Sequence, residues 1–141
     1  MIAAESIDYA EYTRAAQNFR SECPERAWGL TFPLNGMSHY YKVPEYDGYF
    51  CFRTVASGVA ELCGVFSRHK SGGELIRIAL DTLRQHGYKQ VRLDCFQRVV
   101  GVWVDAGFRA TSSRKWEYAY KPTLWRPEYG RQDVFYMERE L

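Results

Sequence analysis

Residues 68–87 read RHKSGGELIRIALDTLRQHG, a short basic turn with two glycines placed directly before an amphipathic helix. A helix start leaves backbone N–H groups unpaired and carries a partial positive charge, and Gly72 and Gly73 put no side chain between that backbone and an anion. Arg68, Lys70 and Arg77 bring full charges to the same place, so the turn is suited to phosphate. A structural reading stands beside this one. Ser71 and Glu74 have the spacing of a capping box, in which the serine oxygen accepts an N–H of the first turn and the glutamate reaches back. Glu74 also brings negative charge to the proposed phosphate site.

Other reactive side chains are scattered. Cys23, Cys51, Cys63 and Cys95 form no C-x-x-C pair, and His39, His69 and His86 lie at no ligand spacing from them, so no metal site is expected. Three of the four cysteines sit in apolar, strand-like runs and read as core thiols. Cys95 has no adjacent histidine or cation to make it a nucleophile. Residues 114–131 interleave Trp116, Tyr118, Tyr120, Trp125 and Tyr129 with Arg114, Lys115, Lys121, Arg126 and Arg131. That mixture can stack bases and hold phosphates, or it can pack its rings on a sheet and leave its charges in water.

The elements that must position these groups follow from periodicity. Residues 7–19 read as a first helix, with Tyr9, Tyr12, Ala16 and Phe19 on one face and Pro24 barring its continuation. Three strand-like runs, 38–43, 49–55 and 59–66, are separated by turn signals at Glu45, Asp47 and Gly48 and at Ser57 and Gly58, the short spacing of antiparallel hairpins. The helix after the glycine turn carries Leu75, Ile76, Ala79, Leu80 and Leu83 on one side and stops at Gly87. A strand at 90–96 completes a strand, loop, helix, strand unit, the parallel crossover. Residues 98–106 fit a strand by propensity and a short helix by the spacing of Val99, Trp103 and Ala106. Residues 108–120 read as a long strand, 122–130 as an aromatic connection and 133–139 as a last strand.

At 141 residues the chain is expected to fold as one domain, residues 1–141. Its net charge of +2 gives no pointer to nucleic acid or an anionic membrane. No apolar stretch of membrane-spanning length and no secretory signal stand in the sequence, so a cytoplasmic protein is the expectation.

The order of these elements, together with two short motifs, resembles the GNAT superfamily of acyl-CoA-dependent N-acyltransferases. That superfamily's acyl-CoA loop follows R/Q-x-x-G-x-G/A, and Arg68, Ser71 and Gly73 occupy its three specified places, with serine for the first glycine. WVDAGF, residues 103–108, is similar to the L-Y-x-x-x-G-F ending of the family's short helix, with Gly107 and Phe108 in place. LDCF at 93–96 and YGRQDVFYM at 129–137 resemble segments of small GNAT-like proteins of phages and prophages. The resemblance covers residues 59–141. It implies an α/β fold with a mixed, mostly antiparallel sheet, a central parallel strand-helix-strand unit and flanking helices, and it selects the short helix for 98–106.

It also implies chemistry. Acetyl-CoA would be the co-substrate, its pyrophosphate held by backbone N–H groups around Lys70, Ser71, Gly72, Gly73 and Glu74, with Arg68, Lys70 and Arg77 supplying charge. The edge of the strand ending in Val65 and Phe66 would hold the pantetheine arm. The acetyl group would pass directly to an amine of a small molecule or protein, without a metal. Glu61 is the first choice of base, with His39 and Asp94 behind it. The family's acid is a tyrosine where this chain has Trp103, whose indole cannot protonate a thiolate at neutral pH, so Tyr118 and Tyr120 stand as substitutes. The alternative is a catalytically silent GNAT-like module that engages a host protein or nucleic acid. Oligomeric state is open, a homodimer being one option.

Overall fold

The computed structural model describes residues 3–69 and 72–141. The chain begins with a short strand, β1 (Glu5–Ile7), then α1 (Tyr9–Glu22) and a single turn, α2 (Pro24–Ala27). Ile7 therefore lies in a strand, not in the first helix. Asp8 sets that boundary: its extended backbone precedes the helix and its carboxylate accepts the Glu11 N–H at 2.8 Å, which satisfies one of the unpaired donors of the first turn. The helix also runs past Phe19 to Glu22. Pro24 limits α1 as expected, but it opens α2, where its missing N–H costs nothing. Tyr12, Ala16 and Phe19 form the buried face of α1.

Seven strands make one sheet in the order β1-β2-β3-β4-β5-β7-β6. β2 (His39–Val43), β3 (Gly48–Ala56) and β4 (Val59–Ser67) form an antiparallel meander with β1. After β4 the chain enters α3 (Gly72–Gln85) and returns as β5 (Gln90–Phe96), parallel to β4. This is the crossover unit predicted from periodicity. All five apolar positions read from the sequence are buried, and Ile78 and Thr82 widen the stripe. Each large aliphatic side chain so buried contributes about 2 kcal/mol of transfer free energy, enough to fix the helix on the sheet. Residues 100–105 are helical, α4 (Val100–Asp105), as the resemblance and not the propensity indicated.

The long strand expected at 108–120 is shorter. β6 (Arg109–Arg114) pairs with β7 (Val134–Glu140) and stops there. Beyond Arg114 the backbone N–H of Trp116 donates to the Asp133 carboxylate at 3.0 Å, so no ladder continues. The Trp116 ring packs 4.8 Å from that of Trp125, and the stretch up to β7 is a loop with one-turn helices at Tyr118–Tyr120 and Pro127–Tyr129. Aromatic clustering within the loop outweighs the strand propensity of its rings.

Two cores lie on opposite faces of the sheet. One gathers α3, Trp103 of α4, and the inward residues of β3, β4, β5 and β7. The other gathers α1, α2, Leu34, Tyr40, Cys51 and Phe66. No described helix is long and apolar enough to cross a membrane.

Candidate functional site

β4 and β5 pair over only three positions, Val59 with Gln90, Ala60 with Val91 and Glu61 with Arg92. Each strand keeps its outer partner much further, β4 with β3 as far as Ser67 and β5 with β7 as far as Phe96. The two halves of the sheet therefore part in a V. Residues 62–67 on one side and 93–96 on the other flank a cleft of about 470 Å³, closed by the start of α3, by Trp103 of α4 and by the segment after α1.

A bulge helps to turn β4 away. Three steps of β4, from Cys63 to Phe66, span the distance that two steps of β3 cover, from Cys51 to Tyr49, and Gly64 takes φ +58° there. An inserted residue bends and twists its strand locally. The Gly64 carbonyl accepts the buried Tyr12 hydroxyl at 2.8 Å, tying the bulge to α1.

The residues nominated for cofactor binding fall in two groups. Val65, Phe66 and Gly72 line the cleft. Gly73 and Glu74 stand exposed on the first turn of α3, while Lys70 and Ser71, with the capping box that needs Ser71, lie outside the described residues. The two described cations of this group are already partnered. Arg68 meets Glu22 at 2.6 Å and Asp47 at 3.3 Å, and Arg77 meets Glu74 at 2.7 Å and Asp81 at 3.5 Å. These are exposed pairs and individually weak, so an incoming anion could displace them at small cost.

At the apex of the V the carboxylates differ. Glu61 does not line the cleft, and its Oε1 accepts Arg53 Nε at 3.1 Å and Cys63 Sγ at 3.3 Å. Asp94 does line it. Asp94 is exposed as a residue, yet partial desolvation of its carboxyl raises its pKa, and the charge of Glu61 raises it further. Its own backbone N–H and Arg114 offset part of that. His39 lies elsewhere, on β2, with its ring 4.6 Å from that of His86; desolvation, and then His86, lowers its pKa. Tyr118 is 60% exposed, stands edge-on to Trp125 and does not line the cleft. Trp103 does, packed edge-on against Phe108.

Cys95 also faces the cleft, but desolvation, followed by the charge of Asp94, pushes its thiol up to about 11. Burial raises Cys51 to about 12 in the same way. A thiol near 11 is roughly two hundred times less ionised at pH 8 than an ordinary cysteine, while its thiolate is about tenfold more nucleophilic. Native Cys95 should therefore be alkylated by iodoacetamide roughly twentyfold more slowly than a free cysteine peptide at pH 8. Mass spectrometry of the labelled chain measures this, and equal rates would show an activated thiol instead.

Sequence reasoning missed two arginines. Arg26, on α2, and Arg98, in the single turn Gln97–Val99 after β5, both line the cleft. Neither lies near a glycine turn or in a recognisable motif, and their convergence is set by tertiary structure, from positions far apart in the chain.

Neither a protein-family model nor a curated protein matches the sequence. Solved structures do. An acetyltransferase from Bacillus subtilis in complex with CoA superposes with a TM-score of 0.68 at 12% identity, over 100% of this chain and 99% of that one. The ribosomal-protein-S18-alanine N-acetyltransferase of Escherichia coli gives a TM-score of 0.69 at 15% identity, over 99% and 94% of the two chains. A Chromobacterium violaceum protein described as a probable acetyltransferase of the GNAT family gives 0.66 at 15%, over 98% and 83%. Identity this low speaks for architecture alone, and the architecture agrees from end to end: this chain has the fold of the GNAT acetyltransferases.

Proposed function

We propose that this protein transfers the acetyl group of acetyl-CoA to an amine. The observation that carries the reading is the parting of β4 from β5. Among the described residues no strand pairs with residues 62–66 of β4 on its cleft side, so the strand edge there can pair with an amide-bearing arm such as pantetheine. CoA is bound in the Bacillus subtilis structure of the same fold.

In this reading the arm runs along Val65 and Phe66, and the pyrophosphate rests on the N–H groups at Gly72, Gly73 and Glu74, which Lys70 and Ser71 precede in the sequence. Arg68 and Arg77 exchange their carboxylate partners for phosphate. Asp94 takes the place first given to Glu61 as base, because it lines the cleft and its raised pKa makes it a better proton acceptor. The acceptor ammonium gives one proton to the Asp94 carboxylate. The freed nitrogen lone pair forms the C–N bond at the thioester carbon, the C–S bond breaks, and the second proton passes through water to the thiolate. Trp103 lines the cleft and donates no proton to a thiolate. Most of the rate gain would come from holding amine and thioester together. A cytoplasmic setting, where acetyl-CoA is available, goes with this role.

Calorimetric titration of acetyl-CoA, followed by assay of free thiol released in the presence of amines, tests the reading. Saturable binding with turnover is expected, and absence of binding overturns it. Binding without turnover on any amine would identify the silent module that Trp103 allows.

Gly73 offers a sharper check on the phosphate cradle. Among the described residues no atom lies within 4 Å of where its Cβ would sit. Gly73→Leu should therefore leave the melting temperature within about 2 °C and weaken acetyl-CoA at least tenfold, because the side chain projects from the first turn of α3 into open space beside the cradle. Unchanged affinity would remove the cradle from the mechanism.

A further inference from the structure

We propose that the amine acceptor carries an oxyanion, held by Arg26 and Arg98 on the α1 side of the cleft. The inference rests on the acetyl-transfer reading and adds the chemical class of the acceptor.

Among the described residues neither guanidinium has a carboxylate at ion-pair distance, in contrast to Arg68 and Arg77. What holds them is neutral. Arg98 donates to the carbonyls of Glu25 at 3.1 Å and Arg26 at 2.9 Å, with its guanidinium carbon 4.5 Å from the centre of the Trp28 ring. Arg26 donates to the carbonyls of Ser67 at 2.7 Å and Arg68 at 3.3 Å, and lies 5.4 Å over Phe19. Each guanidinium has five N–H donors and spends two, which fixes its orientation and leaves three to offer.

Two positive groups fixed on one cleft wall, near enough for one charge to act on the other, are electrostatically unfavourable without a counter-ion. Desolvation, and also the charge of Arg26, lowers the pKa of Arg98 although Tyr129 acts the other way. An oxyanion between them relieves that repulsion and matches the planar donors of both. The position selects which anion. Phe19 belongs to the core on the α1 face of the sheet, whereas α3 and its glycine turn belong to the opposite face. A coenzyme whose phosphates rest on α3 presents its thioester between the strands, and its acceptor enters from the α1 face. Asp94 is the acidic residue among those lining the cleft. One carboxylate for the ammonium and two guanidiniums for an oxyanion describe a zwitterionic acceptor, an amino acid or aminophosphonate.

The test uses acetylated products, whose binding needs no turnover. N-acetylglycine, N-acetylphenylalanine, N-acetylglutamate and N-acetyl-2-aminoethylphosphonate are titrated into the full chain, each carboxylate beside its uncharged amide, with acetyl-CoA and dephospho-CoA titrated in parallel. At least one anionic product should bind tenfold or more tightly than its uncharged counterpart. Arg98→Gln and Arg26→Gln should each bring that ratio to within threefold of unity, and Arg98→Lys should restore part of it. Thermal melts show whether each variant is folded, and the Lys variant keeps the question answerable if Arg98→Gln is not. If no product shows an anion preference, or the preference survives in both Gln variants, the proposal is overturned. If both Gln variants instead lose acetyl-CoA affinity tenfold and keep the product ratio, the anion is a coenzyme phosphate and the proposal is likewise overturned. Anion-dependent binding together with no acetyl-CoA binding would retain the anion site and sink the transfer reading.

Discussion

Gly64→Ala is expected to destabilise the protein by about 3 kcal/mol. Two costs combine. A non-glycine residue at φ +58° loses about 1 kcal/mol or more to the clash between Cβ and its own backbone. The added Cβ would also collide with the Tyr12 hydroxyl and come within 2.5 Å of Leu34 Cδ1, and overpacking of this kind costs about 1–3 kcal/mol. Neither neighbour can retreat easily, since Tyr12 is 1% exposed and Leu34 is packed in the same core. Urea denaturation should show a lower midpoint with an unchanged slope. A companion variant isolates the mechanism. Tyr12→Phe removes the colliding oxygen together with its hydrogen bond to the Gly64 carbonyl, and alone should cost about 1 kcal/mol. Combined with Gly64→Ala it should cost less than the sum, by 0.5 kcal/mol or more. Strict additivity would mean that the bulge accommodates a side chain and that Tyr12 does not brace the parting of β4 from β5. Acetyl-CoA affinity measured on the folded fraction should fall too, because the bulge shapes the cleft wall.

The elements that were legible in the sequence are those whose pattern reports local burial. The stripe of α3 repeats at helical spacing because one face meets the sheet, and every apolar residue assigned to it is buried. The crossover from β4 through α3 to β5 followed from the same periodicity. β1 was not legible, because Glu5–Ile7 is a three-residue strand at the sheet edge whose identity comes from pairing with Tyr40, Tyr41 and Lys42. The carboxy-terminal half of the predicted long strand failed for a related reason. Trp116, Tyr118 and Tyr120 have strand propensity, but Trp116 and Tyr118 pack on Trp125 within the same loop, Lys121 lies over Tyr118, and Tyr120 stands exposed.

The site shows the same division. The glycine turn could be read locally, since its chemistry lies in consecutive backbone groups. What its charges do could not, because Glu22 and Asp47, which neutralise Arg68, approach from α1 and from the turn before β3. Arg26 and Arg98 are the converse, two unremarkable arginines in the sequence that converge on the cleft only where α2 meets the turn after β5. Choosing between Glu61 and Asp94 required the divergence of the strands, for the two carboxylates have equivalent sequence surroundings and different exposure to the cleft.

Asp94→Asn should lower kcat for amine acetylation about a hundredfold or more, the usual scale for losing a positioned base, while the melting temperature at pH 7 holds or rises. The two signs follow from one cause. Desolvation disfavours the ionised carboxyl, and Glu61 adds repulsion, so the folded chain binds this proton more tightly than the unfolded chain does. A carboxyl with a raised folded pKa therefore subtracts stability as pH climbs from its unfolded value through its folded one, and at pH 7 the ionised form is carried at a cost. Asparagine removes that cost and, with it, the proton acceptor. The pH profile separates catalysis from structure. For the parent protein kcat/KM should fall by one proton as pH drops through the raised pKa of Asp94, and this limb should vanish in Asp94→Asn. Glu61→Gln supplies the discriminating case. If Glu61 acts on Asp94 through its charge, removing that charge lowers the Asp94 pKa and moves the acidic limb to lower pH with most of the activity retained. If Glu61 itself takes the proton, Glu61→Gln abolishes the limb and the rate together, and Asp94→Asn leaves both in place.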